Sequence, residues 1–228
     1  MRRASATAIP QLVGARKGTR MIGEIDDALR SLTKGSDGIP KDVEVAFDAP
    51  TKEWAARRNA PTIDLFLYDI REDVRRREYG WREQRDSKGV VTARTPAPRL
   101  FKLSYLVTAW TQRADDEHRL LDALLRCFLR YDAVPDELVA TLLSDTGLPC
   151  SITIAQPPPE DRAFADVWSS LGGELKPSLD VVVTAPVGRD IFYAAGPPTE
   201  GIDISMDAAN FGINESVSSG VSTDDRHA

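Results

Sequence analysis

An apolar strand that runs, without glycine or proline, into a dense charged segment constrains this chain more than any other feature. Between Asp48 and Trp81 the sequence reads DAPTKEWAARRNAPTIDLFLYDIREDVRRREYGW. From Ile63 to Ile70 the residues Ile63, Leu65, Phe66, Leu67, Tyr68 and Ile70 predict a strand buried on both faces. From Arg71 to Asp86 six arginines (Arg71, Arg75, Arg76, Arg77, Arg82, Arg85) interleave with five acids (Glu72, Asp73, Glu78, Glu83, Asp86). Such a segment has too few apolar residues to build a core. It is expected either to extend as a ribbon and pair with something else, or to form a solvated hairpin with internal ion pairs. Its signs nearly cancel, so a protein surface suits it better than a polyanion.

Length and charge bound the rest. A chain of 228 residues holds one sizeable core with excursions, or two small domains. A hydrophobic share of 42% and a charged share of 28% fit a soluble globular protein, and a net charge of −6 gives no global reason to expect nucleic acid. Cys127 and Cys150 have no metal-ligand spacing around them and read as reduced, buried small hydrophobes of a protein folded in the cytoplasm. No apolar run approaches the roughly 18 residues that span a bilayer, so no membrane partner is expected. Residues 1–20 are basic, with Arg2, Arg3, Arg16, Lys17 and Arg20 and no acid before Glu24, but lack the apolar stretch of a secretory signal. They read as a disordered leader, with the folded body beginning at Met21.

Within that body, Ile22, Ile25, Leu29 and Leu32 recur at helical spacing and Gly35 closes the helix. Val43, Val45 and Phe47 alternate as a short strand, and Thr51 is placed to cap a brief helix holding Trp54. The turn Asp86-Ser87-Lys88-Gly89 returns the chain through Val90 to Thr95, making the charged segment one arm of a hairpin. Phe101, Leu103, Tyr105 and Val107 predict a half-buried antiparallel strand. Leu120, Leu121, Leu124, Leu125, Phe128 and Leu129 mark the apolar stripe of a helix over Glu117 to Tyr131. Further helices are expected after Pro135 and Asp161, and strands at Ile152–Ile154 and Leu179–Val183. This order lacks regular βαβ alternation. It predicts an α+β fold, with a mixed, largely antiparallel sheet flanked by helices and an extended charged hairpin, over residues 21–186. From Val187 to Ala228 seven acids meet two arginines amid Gly, Ser and Asn, which predicts a flexible acidic tail.

No catalytic constellation emerges. His118 and His227 are the only histidines, one on a polar helix face and one in the tail. The stretch Gly14 to Thr19 lacks the spacing of a phosphate loop and no strand is expected before it. The carboxylate pairs Asp26-Asp27 and Asp115-Asp116 diverge on a helix. The residues argue for no enzyme, no cofactor and no metal.

Four blocks carry a resemblance: MIGEIDDALRSL, DVEVAFDAPTKEWAARRNAPTIDLFLYDIREDVRRREYGW, RLFKLSYLVTAWTQRADDEHRLLDALLRCFLRY and SLGGELKPSLDVVVTAP. Together, from Met21 to Pro186, they resemble the cap, or tail-terminator, family of extracellular contractile injection systems, phage-tail-like particles related to the antifeeding prophage. The resemblance implies a tail-terminator-like fold in a homo-oligomeric, hexameric ring. That ring would stop polymerisation of the inner-tube and sheath proteins at the distal end of a particle assembled in the cytoplasm, which can be released from the cell. It implies no catalytic residues. Arg71, Arg75, Arg76, Arg77, Tyr79, Trp81, Arg82 and Arg85 have the aromatic-plus-arginine composition of interface anchors and are the candidate protein-interface residues. The alternative is a nucleic-acid-binding or adaptor module using the same arginines, against which stand the acids flanking them and the negative total charge.

Overall fold

Three strands run out of one sheet, bend, and continue into a second. The computed structural model describes residues 12–15, 20–157, 164–173 and 175–195. In chain order its elements begin with β1 (Leu12–Ala15), α1 (Met21–Lys34), β2 (Glu44–Ala46), α2 (Lys52–Ala56), β3 (Thr62–Glu72), a 3-10 turn at Val74–Arg76, β4 (Trp81–Arg85), β5 (Val91–Pro96) and β6 (Arg99–Trp110). They continue with α3 (Ala114–Phe128), a 3-10 turn at Asp136–Leu138, α4 (Ala140–Thr146), β7 (Ser151–Ile154), α5 (Phe164–Ser170), β8 (Leu179–Val187) and β9 (Ile191–Ala194). The five-stranded sheet has the order β2-β3-β6-β8-β7; β2 is parallel to β3 and the other pairs are antiparallel. The four-stranded sheet, β1-β9-β5-β4, is antiparallel throughout.

In the second sheet β4, β5 and β9 repeat the adjacency of β3, β6 and β8 in the first. Each bend has a local cause. Between β5 and β6 stand Pro96-Ala97-Pro98, and the two prolines cannot donate to a ladder. Between β8 and β9, Asp190 adopts φ 49°, a left-handed conformation that an aspartate tolerates. Between β3 and β4 the 3-10 turn intervenes. The charged segment is therefore not one continuous arm, as its unbroken charge pattern suggests. Arg71 is the last residue but one of β3, Arg75 and Arg76 occupy the turn, and Arg82 and Arg85 lie on β4. The hairpin proper is β4–β5, closed where the Asp86 carboxylate accepts the N–H groups of Lys88 (2.8 Å) and Val90 (2.9 Å).

The core lies between one face of the five-stranded sheet and α1, α3 and α4. Ile63, Leu65, Leu103, Tyr105, Val107, Val181 and Val183 meet Ile25, Leu29, Leu124, Phe128 and Leu142 there, all of them buried. On the opposite face α2 covers one end. Thr51 caps it by accepting the Trp54 N–H at 3.2 Å, and Trp54 packs edge-to-face on Trp110 with ring centroids 5.5 Å apart. Trp168 of α5 is buried, and Gly173 lies against its ring where a Cβ would come within 3.1 Å.

Several expectations are corrected by neighbours that the sequence does not display. β3 is buried on both faces only from Thr62 to Leu65, and Ile70 is 48% exposed, because the helices and α2 cover only that end. β6, expected to be half-buried, is buried from Leu103 to Ala109 because it is the central strand. Leu129 falls just past the end of α3 and is 66% exposed, so the stripe is Leu120, Ala123, Leu124, Cys127 and Phe128. Two strands lie outside residues 21–186: Leu12–Ala15, read as leader, pairs with Ile191–Ala194, read as tail. Composition averaged over the tail hid a short run of Ile191, Phe192 and Tyr193 with good strand-forming character. Asp161, and the tail from Gly196 onward, lie outside the described residues.

Candidate assembly surface

The residues singled out as interface candidates gather around the bend between the two sheets, but their environments differ. Glu72, at the end of β3, is held by Arg77, whose Nε donates to Oε1 at 2.7 Å and whose Nη2 donates to Oε2; Arg99 approaches Oε2 at 3.5 Å. The Arg77 hydrogen bonds hold the Glu72 carboxyl below the usual carboxylate range and push the Arg77 guanidinium up. Arg82 Nη1 donates to the Thr146 carbonyl at the C-terminal end of α4, where a cation is favoured, and so ties β4 to the body. Arg85 bonds Glu83 (2.6 Å) and the Gly89 carbonyl (2.8 Å) near the hairpin tip. Arg71 Nε donates to Asp69 at 3.2 Å. Arg75 and Arg76 are exposed, and among the described residues their side chains make no ion pair or hydrogen bond.

The aromatic candidates also separate. Tyr79 is 84% exposed, with its ring in solvent. Trp81 is half-exposed and stands edge-to-face on Tyr193 of β9 at 5.0 Å, so one side of the indole is spent on its own sheet and the other is open. Val74 on the 3-10 turn is 60% exposed. Beside that turn, the end of the five-stranded sheet's second face that no other described element covers forms a groove of about 1070 Å³. Arg71, Arg75 and Arg76 line it, together with Lys102, whose Nζ lies 3.7 Å from the buried Asp73 carboxylate. Thus three of the eight candidates share the groove, two aromatic residues lie on the following stretch, and Arg77 and Arg82 work inside the fold. The partners Glu72, Thr146 and Tyr193 were missed in the sequence; Thr146 and Tyr193 lie far along the chain, and nothing local marks them.

Catalytic chemistry finds little to work with among the described residues. Burial pushes the Cys127 thiol up and the Cys150 thiol to about 11, the opposite of what a thiolate nucleophile needs. His118 is exposed while Cys127 faces the core. No group of three or more His, Cys, Asp or Glu side chains among them is placed to hold a metal ion, and none of their helices is long and apolar enough to cross a membrane.

A helix-backed mixed sheet that continues into a charged antiparallel ribbon, with no groups set up for catalysis among the described residues, defines an α+β domain. The chain belongs to the Pvc16 N-terminal domain family, whose model matches residues 24–200. The fold is shared with the sheath/tube terminator of the extracellular contractile injection system PVC in its extended state. That match has a TM-score of 0.58 and 20% identity, and covers 83% of this chain and 65% of that one. It is shared also with the tube-terminating cap of the anti-feeding prophage, at a TM-score of 0.57 and 19% identity over 80% of this chain and 60% of that one. This chain therefore spans less than two thirds of the length of either structure. No curated protein sequence matches it.

Proposed function

We propose that this protein is a structural terminator of a contractile injection particle, a non-enzymatic cap that ends inner-tube and sheath growth as a homo-oligomeric, hexameric ring. The observation that carries the reading is its membership of the Pvc16 N-terminal domain family together with the fold it shares with two terminator caps. The ribbon supports it physically. A terminator must match the last ring on one side and offer no further docking edge on the other, and interleaved charges set register and exclude wrong partners. Arg71, Arg75, Arg76, Tyr79, Trp81 and Arg85 are the residues proposed to meet tube, sheath or a neighbouring subunit. Arg77 and Arg82 hold that surface in place. The cap is proposed to assemble in the cytoplasm, in a particle that can leave the cell.

Imaging of particles by negative stain, purified with and without this protein, tests the reading. Particles lacking it should have tubes and sheaths of variable length, and added protein should restore uniformity. Uniform length in its absence overturns the assignment.

A further inference from the structure

We propose that the loop from Asp48 to Ala60, which carries α2, is a proton-controlled strap: when Asp64 gives up its proton, the strap lifts from the sheet face beneath it while the rest of the body stays folded. Asp64 lies on β3 between Ile63 and Leu65, which face the helices, so its own side chain faces the other way, toward the strap. Its neighbours on the adjacent strands are the uncharged Ala46 of β2 and Thr108 of β6. It is fully buried there. Its Oδ1 accepts the Asp48 N–H at 3.1 Å, and its Oδ2 has no hydrogen-bond partner among the described residues. A neutral carboxyl is tolerated in such a place, whereas a carboxylate would leave one charged oxygen without a hydrogen bond.

Side chains do most of the fastening. Among the described residues no backbone–backbone hydrogen bond joins residues 49–60 to the sheet. Trp54 packs on Trp110, the Thr62 hydroxyl donates to the Ala60 carbonyl at 3.0 Å, and the Asp48 carboxylate accepts the Trp54 indole N–H at 2.9 Å. Arg58 lies over the Trp54 ring at 4.3 Å and donates to Asp48 at 3.2 Å and to Glu44 of β2 at 2.8 Å. The charges facing Asp64 are thus Asp48 and Arg58 of the strap. Glu44 is engaged by Arg58, and Lys176, above the Trp110 ring, is paired with Glu117 of α3 at 2.6 Å. Asp48 couples the two sites: its N–H binds Asp64 and its carboxylate grips Trp54, so repulsion from an ionised Asp64 acts on the residue that anchors α2. Burial, with the Asp48 charge behind it, pushes Asp64 from 3.8 to about 8, against the Asp48 hydrogen bond and the Arg58 charge. With the strap lifted, water reaches Asp64 and its ordinary value returns. Opening therefore becomes about tenfold easier per pH unit between those two values and levels off above them.

The test is amide hydrogen exchange of the full chain, expressed as protection relative to the intrinsic rate so that base catalysis of exchange itself cancels. Between about pH 5 and about pH 7 the protection of the Ala55, Arg57 and Arg58 amides should fall about hundredfold in the parent. It should not respond to low urea, whereas amides of α3, which open only with the whole fold, should. Asp64→Asn keeps the acceptor for the Asp48 N–H and removes the titration, so its strap protection should be independent of pH. A parent strap without pH dependence, the same fall in Asp64→Asn, or a strap as sensitive to urea as α3 overturns the proposal. A second measurement needs no change at Asp64. In protein labelled with 5-fluorotryptophan, the Trp54 fluorine resonance, identified by its loss in Trp54→Phe, should move with a midpoint near the Asp64 value of about 8. A resonance that stays fixed through that range overturns the coupling of Asp64 to α2.

Discussion

Arg76 and Arg77 are neighbours in sequence, yet only Arg77 turns back onto Glu72, while Arg76 points out from the turn without a partner among the described residues. Reversing all three arginines at Arg75, Arg76 and Arg77 would therefore mix a folding effect with an assembly effect. Arg77→Glu should lower the melting temperature, because it sets two carboxylates against each other beside Arg99. Arg75→Glu/Arg76→Glu should change stability by less than about 0.5 kcal/mol per site while blocking assembly, as read by urea melts and by imaging. Asp64 gives a pH signature. It is fully buried, its Oδ1 accepts the Asp48 N–H at 3.1 Å, and its Oδ2 has no hydrogen-bond partner among the described residues. Burial first, and the Asp48 charge after it, push its pKa up from 3.8 to about 8, against the Asp48 hydrogen bond and the Arg58 charge. Between those two values the folded state keeps a proton that the unfolded state has released, so stability falls as pH rises through the window and levels off above it. Asp64→Asn keeps the acceptor and removes the titration. Urea unfolding across the window should then show a flatter pH dependence than the parent; an identical slope would rule Asp64 out as its source.

At the scale of elements, α3 is held by what it buries. Leu124 is fully buried against the sheet, and Leu129, just past the end of the helix and about 140° round its axis, is not. Leu124→Ala should cost about 2–5 kcal/mol through lost burial and the cavity left behind. Leu129→Ser should cost under about 0.5 kcal/mol, and Leu124→Asp should abolish soluble expression. Equilibrium unfolding compares the first two directly. The ribbon is held differently, by single contacts at its base. Arg82→Ala removes the bond to the Thr146 carbonyl and should speed hydrogen exchange in β4 with little change in the global unfolding free energy, as expected of a local opening. Cutting the chain after Pro186 removes β9 and leaves β5 paired only with β4, so exchange should rise through Val91–Pro96.

For the whole molecule, three chain segments link the two sheets: β3 leads into β4, β5 into β6 and β8 into β9. The ribbon's placement is therefore set by the body and not by its own sequence. Trp81→Ala should weaken ring or particle assembly with less dependence on salt than the arginine reversals, because its open face contributes apolar burial. Sedimentation at low and high salt separates the two classes of variant. Equal salt dependence would mean that Trp81 does not reach an interface.

The sequence by itself determined the local elements. Helical spacing placed α1, Thr51 placed the start of α2, the Asp86–Gly89 turn placed the hairpin, and buried, unactivated Cys127 and Cys150 were legible from their surroundings. These features rest on interactions within a few residues, and periodicity and capping are local physics. The tertiary structure decided whatever depended on a neighbour distant in the chain. It made β6 the buried centre from Leu103 to Ala109 because two strands flank it, and left Ile70 exposed because no other described element covers it. It recruited Leu12–Ala15 and Ile191–Ala194 into one sheet, and sorted eight similar candidates into those that brace the fold and those that face outward. An arginine's role depends on which carboxylate or carbonyl lies within about 3 Å of it, and Thr146, the acceptor that holds Arg82, lies 64 residues along the chain.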